Sequence, residues 1–292
     1  VTRFRGAGMA ALAVALALVV AACAPAPGEQ DDSRSNPPPP TDSGNGRESA
    51  AIALVDIWRV SGAADEEVDT WLRLDVPEFQ LWRDCGMIQG SWRATGSLFL
   101  ASTYGASGEC ATGTTLPRVP WLESVSGYRA AGEGWELHDP QGTTLATLTR
   151  DGAPDPIPTA ADFYTEPPVI TDATREALRQ PVPLAGSLTP ASPEDLAARW
   201  VPESDSGTTD AHVVFEADGT WTGSDGCNGG QGRWVADGAG ALLTTSGVST
   251  LMSCDGAPVP YWVTQASWAV FDDGWLRLLD MHGSELGRLQ QD

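Results

Sequence analysis

The chain contains no lysine. All 17 of its basic residues are arginines, against 39 acidic residues, and the 292 positions carry a net charge of −22. Without lysine there is no Schiff-base amine, no Ser/Lys dyad and no P-loop lysine. So little positive charge excludes a surface that tracks nucleic-acid phosphates, which needs a basic patch. It also disfavours adsorption to anionic lipid through protein charge. Histidine occurs three times, at His138, His212 and His282, and never at metal-ligand spacing from another ligand. There is no H-E-x-x-H, no G-x-S-x-G elbow, no G-x-G-x-x-G between strand and helix, no C-x-x-C and no complete calcium loop. Asp272-Asp273 sits in a D-D-G turn, where adjacent carboxylates face solvent. The sequence therefore leads us to expect no catalytic residue, no metal and no cofactor. Long apolar runs are missing too: the longest, residues 9–22, has 14 residues, short of the roughly 20 that span a bilayer.

That run is instead an export signal in outline: Arg3 and Arg5 precede it, and Val20-Ala21-Ala22-Cys23 closes it. The ending resembles the lipobox of bacterial lipoproteins. The resemblance implies cleavage after residue 22, acylation of Cys23 and a place on the extracytoplasmic face of the cell membrane. Two acyl chains anchor stably where one does not. Residues 23–49 lack aromatic and branched apolar side chains and include Pro37 to Pro40. Nothing there offsets the entropy of ordering, so a solvated tether is expected.

The remainder repeats. Trp58, Phe79, Cys85, Gly90 and Trp92 fall 142 positions before Trp200, Trp221, Cys227, Gly232 and Trp234. Gly134-Trp135 aligns with Gly274-Trp275 after a two-residue slip. Gly142, Leu145 and Leu148 align with Gly283, Leu286 and Leu289 at an offset of 141. Two homologous domains follow, 50–152 and 193–292, joined by a proline-rich linker over 153–192. Five cysteines divide as one lipid site and two per repeat. In an oxidising compartment, Cys85 with Cys110 and Cys227 with Cys254 are the expected bridges. The competing arrangement, a metal held by all four, lacks the usual ligand spacing.

Within each repeat the pattern is mostly strand. Residues 211–226 alternate around an Asp218-Gly219 turn and read as a hairpin, as do 134–148 and 274–289. Residues 119–126 and 259–266 each read as a short helix opening beside a proline. Thr171-Asp172 can cap a helical segment in the linker.

Gly226-Cys227-Asn228, followed by Gly232 and Trp234, resembles the motif of the META/HslJ-like family. The F-x-x-D-G of residues 215–219, the Thr250-Leu251-Met252-Ser253-Cys254 segment and the tail over 274–289 extend the resemblance. The first repeat shares the tail but carries Asp84-Cys85-Gly86 at the motif, and it lacks the methionine before Cys110. The resemblance implies a mainly β (α+β) fold. Each of two tandem domains would be a strongly curved antiparallel sheet or cracked barrel with one short helix. It also implies an envelope-associated protein linked to stress tolerance, with no catalytic residues to carry over.

Two readings of the Asn228 turn stand side by side: a tight turn in which Asn and Gly tolerate positive φ, and a backbone nest offering amides to a ligand. The register-matched tryptophans are expected in the core, and Trp71, Trp82 and Trp262 in exposed contacts. Two functions follow from these features. The first is a non-catalytic lipoprotein that binds an apolar or lipid-like ligand in one curved sheet. The alternative is an acidic module that captures basic envelope or secreted proteins by electrostatic steering.

Overall fold

A computed structural model describes residues 49–111, 117–158, 160–203, 210–247, 252 and 255–292. The export signal, Cys23 and nearly all of the tether lie outside the described residues, as does Cys254.

The first repeat is a closed antiparallel barrel of eight strands: β1 (Asp56–Ser61), β2 (Trp71–Leu74), β3 (Glu78–Arg83), β4 (Gly86–Thr95), β5 (Leu98–Gly108), β6 (Gly127–Ala131), β7 (Gly134–His138) and β8 (Thr144–Thr149). Each strand pairs with the next, and β1 closes on β8 with Val60 opposite Leu148. A short helix α1 (Pro120–Glu123) sits between β5 and β6. It is shorter than the expected 119–126 because the Ser126 amide is already committed to the His138 carbonyl, at the start of the β6–β7 ladder.

The connection between the repeats carries α2 (Asp172–Ala177), β9 (Thr189–Pro190) and α3 (Pro193–Leu196). Thr171 caps α2 through a capping box with Thr174, as its sequence position foretold. The second repeat then runs β10 (Arg199–Pro202), β11 (Ala211–Phe215), β12 (Thr220–Asp225), β13 (Gly229–Ala236), β14 (Leu242–Thr244), α4 (Val259–Gln265), β15 (Trp268–Asp272), β16 (Trp275–Leu279) and β17 (Glu285–Gln291). The fold is mainly β, as expected. Apart from β9, the second repeat has the order of the first, eight strands with a helix between the fifth and sixth. It does not close: β14 and β15 meet only at the Ala241–Trp268 bridge, and β9 is added beyond β15.

Alternation explains why these segments are strands. In β11, Ala211, Val213 and Phe215 point inward while His212 and Val214 are half-exposed. The Asp218-Gly219 hairpin forms as its sequence indicates, with Gly219 at φ 81° and the Asp218 carboxylate holding the Thr220 amide at 2.9 Å.

Two of the three register-matched tryptophan pairs build the two cores in the same way; the third is corrected, since Trp135 only borders the first core and Trp275 is half-buried outside the second. Trp58 Nε1 donates to the Leu54 carbonyl at 2.8 Å and Trp200 Nε1 to Leu196 at 2.9 Å, each four residues back. Trp92 donates to Asp75 and Trp234 to Glu216, the carbonyls beside corresponding hairpins. A buried indole whose N–H is satisfied gives large apolar volume without a polar penalty. The matched glycines serve the same packing: a Cβ at Gly90 would lie 2.2 Å from the Phe79 ring, and one at Gly232 would lie 2.7 Å from Trp221 Nε1.

One further expectation is corrected here. Trp71 and Trp82 are not exposed contacts. They face each other across β2 and β3 on the outside of the first barrel, 4% and 3% exposed, under Ile157, Ala160 and Tyr164 of the connecting segment. The linker 153–192 packs on both repeats. Leu178 enters the first core, Ala191 the second, and the Val182 amide donates to Met281. Proline limits regular structure there, but apolar residues at intervals let the segment lie across both repeats as a strap.

Both sheets belong to one compact unit, Gly46–Asp292, and they touch through corresponding hairpins. Leu98 and Leu100 of β5 pack on Val235 of β13, on Leu243 of β14 and on Ala241. Arg93 of β4 reaches across to the Thr244 and Thr264 carbonyls at 3.1 and 3.0 Å. Arg233 of β13 reaches back to the Glu123 carbonyl.

Candidate functional site

The turn between β12 and β13 holds Gly226, Cys227 and Asn228. Gly226 takes the left-handed conformation, φ 95°, that favours glycine. Asn228 does not, which corrects the expectation that it serves by tolerating positive φ. Its side chain is what the turn uses. Nδ2 donates to the Met252 carbonyl at 2.8 Å, and the Met252 amide donates to Oδ1 at 2.6 Å. A carboxamide carries one donor face and one acceptor face, so it can pair with the N–H and C=O of one residue as a neighbouring strand does. Asn228 is 7% exposed, and no aliphatic side chain could satisfy both groups.

The nest is filled from within. Asp225 Oδ1 accepts from the Cys227 and Asn228 amides at 2.9 and 2.6 Å, and Oδ2 accepts from Asn228 Nδ2 at 2.9 Å. The Gly226 amide donates to Ser224 Oγ. The amides that a ligand would need are therefore already engaged. Burial pushes the Asp225 carboxyl up, but the hydrogen bonds from Asn228 and Cys227 outweigh it and hold the group below the usual carboxylate range. Asp225 is the residue that motif reading missed. An aspartate two or three positions before an exposed turn amide is itself a local signal.

Cys227 is disulfide-bonded, while its expected partner Cys254 lies outside the described residues. In the first repeat the bridge is Cys85–Cys110, as expected. With no asparagine there, backbone takes over. The Cys110 amide donates to the Cys85 carbonyl, and Gly86 lies opposite Gly108, both at positive φ. A Cβ on Gly86 would lie 2.4 Å from the Ser107 carbonyl oxygen. The two repeats thus close the same corner by different means.

Residues 194–292 match the META domain family. The match coincides with the second repeat as its motif and tail delimit it, and it includes Gly226, Cys227, Asn228, Gly232 and Trp234. No curated protein and no solved structure matches the chain. The conformation of the META motif turn explains its composition: glycine for the bend, cysteine for the bridge, asparagine for the clamp.

Elsewhere the chemistry-bearing residues are spent on structure. Glu66, buried on the first barrel, accepts from Thr70, Arg83 and Trp121 Nε1 and pins the β1–β2 loop. His138 lies against Gly127 with Nδ1 3.0 Å from the Asp139 carbonyl. His212 faces Asp210, and His282 is exposed in the last hairpin turn. Asp272 pairs with Arg277 at 2.6 Å while Asp273 turns outward, so the two carboxylates do not converge. Among the described residues no group of three or more metal-ligating side chains comes together.

Proposed function

We propose that the chain is a non-catalytic lipoprotein on the extracytoplasmic face of the cell membrane. Acylated Cys23 holds it to the bilayer, and its paired β domains form a docking module for basic proteins of the envelope or beyond it. The first repeat is read as a divergent second META-like domain. Support for the anchor is the signal and lipobox pattern, together with disulfides that suit an oxidising compartment.

The observation that carries the docking reading is the disposition of charge. Every described arginine reaches a carboxylate or a backbone carbonyl: Arg59 to Asp69 and Asp151, Arg73 to Asp75, Arg199 to Asp210 and Asp292, Arg277 to Asp272 and Glu285, Arg93 and Arg233 to carbonyls. The charge left facing solvent is acidic. Such a field steers basic partners and speeds their encounter. An apolar ligand inside a sheet is less well supported. Trp58, Phe79, Trp92 and Phe99 fill one interior and Trp200, Phe215, Trp221 and Trp234 the other, and all twelve tryptophans are at least half-buried.

The test is binding of lysozyme, a basic wall hydrolase, to the full-length protein across a salt series. Between about 0.05 M and about 0.5 M salt, steering predicts a fall in association rate of at least about tenfold. No binding at low salt, or a rate indifferent to salt, overturns the reading.

A further inference from the structure

The outer face of the first barrel carries a cleft of about 230 Å³. One wall is the β2–β3 turn, with Asp75, Val76, Pro77 and Glu78. The other is the strap, where a 3-10 turn over Asp162–Thr165 presents Phe163 and Tyr164. Drug-sized ligands occupy pockets of roughly 300–1,000 Å³. This cleft instead fits a single side chain.

Its floor is already satisfied. Arg73, buried, donates from Nη1 to Gln80 Oε1 and Asp75 Oδ2, both at 3.0 Å, and from Nε to the Glu166 carbonyl at 3.1 Å. Its guanidinium lies 5.7 Å from the centre of the Tyr164 ring. Asp75 therefore balances the Arg73 charge. The rim is not balanced. Glu78 is exposed and neighbours the Tyr104 hydroxyl, and no described arginine pairs with it. Burial, then the nearby Glu78 carboxylate, push the Tyr104 hydroxyl up. Two rings stand open at this rim, Phe163 at 53% exposure and Tyr104 at 48%. The site thus offers one uncompensated carboxylate beside open aromatic faces, in a space sized for one group.

We propose that this cleft receives a cationic side chain, an arginine guanidinium or lysine ammonium, from the basic partner. The inference rests on the docking reading above and gives that module a specific pocket. The cation sits against the Phe163 ring and bonds to Glu78, gaining both ring attraction and a charge-assisted hydrogen bond. A saccharide would also use aromatic faces, but it has no use for the unpaired negative charge.

The experiment follows backbone amide resonances of Gln80 and Tyr164 in the full-length protein. The probes are a short peptide with one arginine, its citrulline counterpart and a chitooligosaccharide. Lysozyme affinity is measured beside them for wild type, E78Q and F163A. We expect the arginine peptide alone to shift the resonances. Both substitutions should weaken lysozyme about tenfold while leaving the melting temperature unchanged, since both side chains are exposed. If the citrulline peptide or the saccharide shifts them equally, the cleft takes a neutral ligand and the proposal fails. If lysozyme binds wild type and both variants alike, the cleft assignment fails and the docking reading survives. If it binds none of them, the docking reading falls first and the cleft with it.

Discussion

Asn228 and Met252 pair as two strand residues would, each giving and taking one hydrogen bond across 24 positions of chain. The side chain of one does the work of backbone, and it joins the β12–β13 turn to the segment leading into α4. Replacing Asn228 by alanine leaves an amide and a carbonyl at Met252 without those partners. The expected cost is about 1–3 kcal/mol by chemical denaturation, with faster hydrogen exchange at the Met252 amide. Asn228→Asp keeps the acceptor but puts a carboxylate against Asp225 and the Met252 carbonyl, so it should be no better than alanine. Unchanged exchange in both variants would show that the clamp is incidental.

Arg93 is the corresponding fastener between the repeats. Burial lowers its pKa, and among the described residues it meets no carboxylate, only the Thr244 and Thr264 carbonyls. Arg93→Met retains much of the bulk and removes the donors, at a cost of about 1.5–3 kcal/mol. Because the contact joins two units with separate cores, the loss should appear as a thermal transition that broadens or splits in calorimetry. A single transition, merely shifted, would show that the Leu98 and Leu243 contact suffices alone.

The Tyr128 hydroxyl is buried in the first barrel, makes no hydrogen bond among the described residues and is pushed up to about 12 by burial. An acid whose folded pKa is raised binds its proton more tightly when folded. Stability is then whole below about pH 10, where unfolded tyrosine begins to ionise, and declines between pH 10 and 12. Tyr128→Phe should abolish that part of the alkaline loss without lowering stability at pH 7. Denaturation at the two pH values, with phenolate absorbance beside it, measures both.

The Cys85–Cys110 bridge closes a loop across 25 positions. Loops of that size are worth roughly 3 kcal/mol. In the Arg93→Met background, where the two repeats melt apart, the paired serine variant should lose about that much in the transition of the first repeat and leave that of the second unaffected. An equal effect on both would mean that the repeats unfold as one.

The strand hairpins, both helices, the α2 cap and two of the three matched tryptophan pairs were legible because each is a local or repeated signal. Alternation places Val213 and Phe215, a D-G step makes the Asp218 turn, and an offset of 142 ties Trp58 to Trp200. What escaped was tertiary. Nothing near Trp71 or Trp82 announces that Ile157 and Tyr164 return to cover them. Nothing in the asparagine announces Met252. The first and last strands meet in both repeats, so closure of one sheet and not the other depends on whether the fifth and sixth strands pair on either side of the helix, and no local pattern announces that. At the motif, composition identified the turn and its bridge, but whether its amides served a ligand or Asp225 was a matter of geometry.

The contact between the two hairpins also orders events in time. The first barrel has all its strands once the chain has reached Thr149, yet Leu98 and Leu100 find their cover only when Val235 and Leu243 arrive. A chain emerging N-terminus first passes through an interval in which a finished barrel shows an oily strip to its surroundings. That interval is when aggregation competes with folding, and when a holding factor has something to grip.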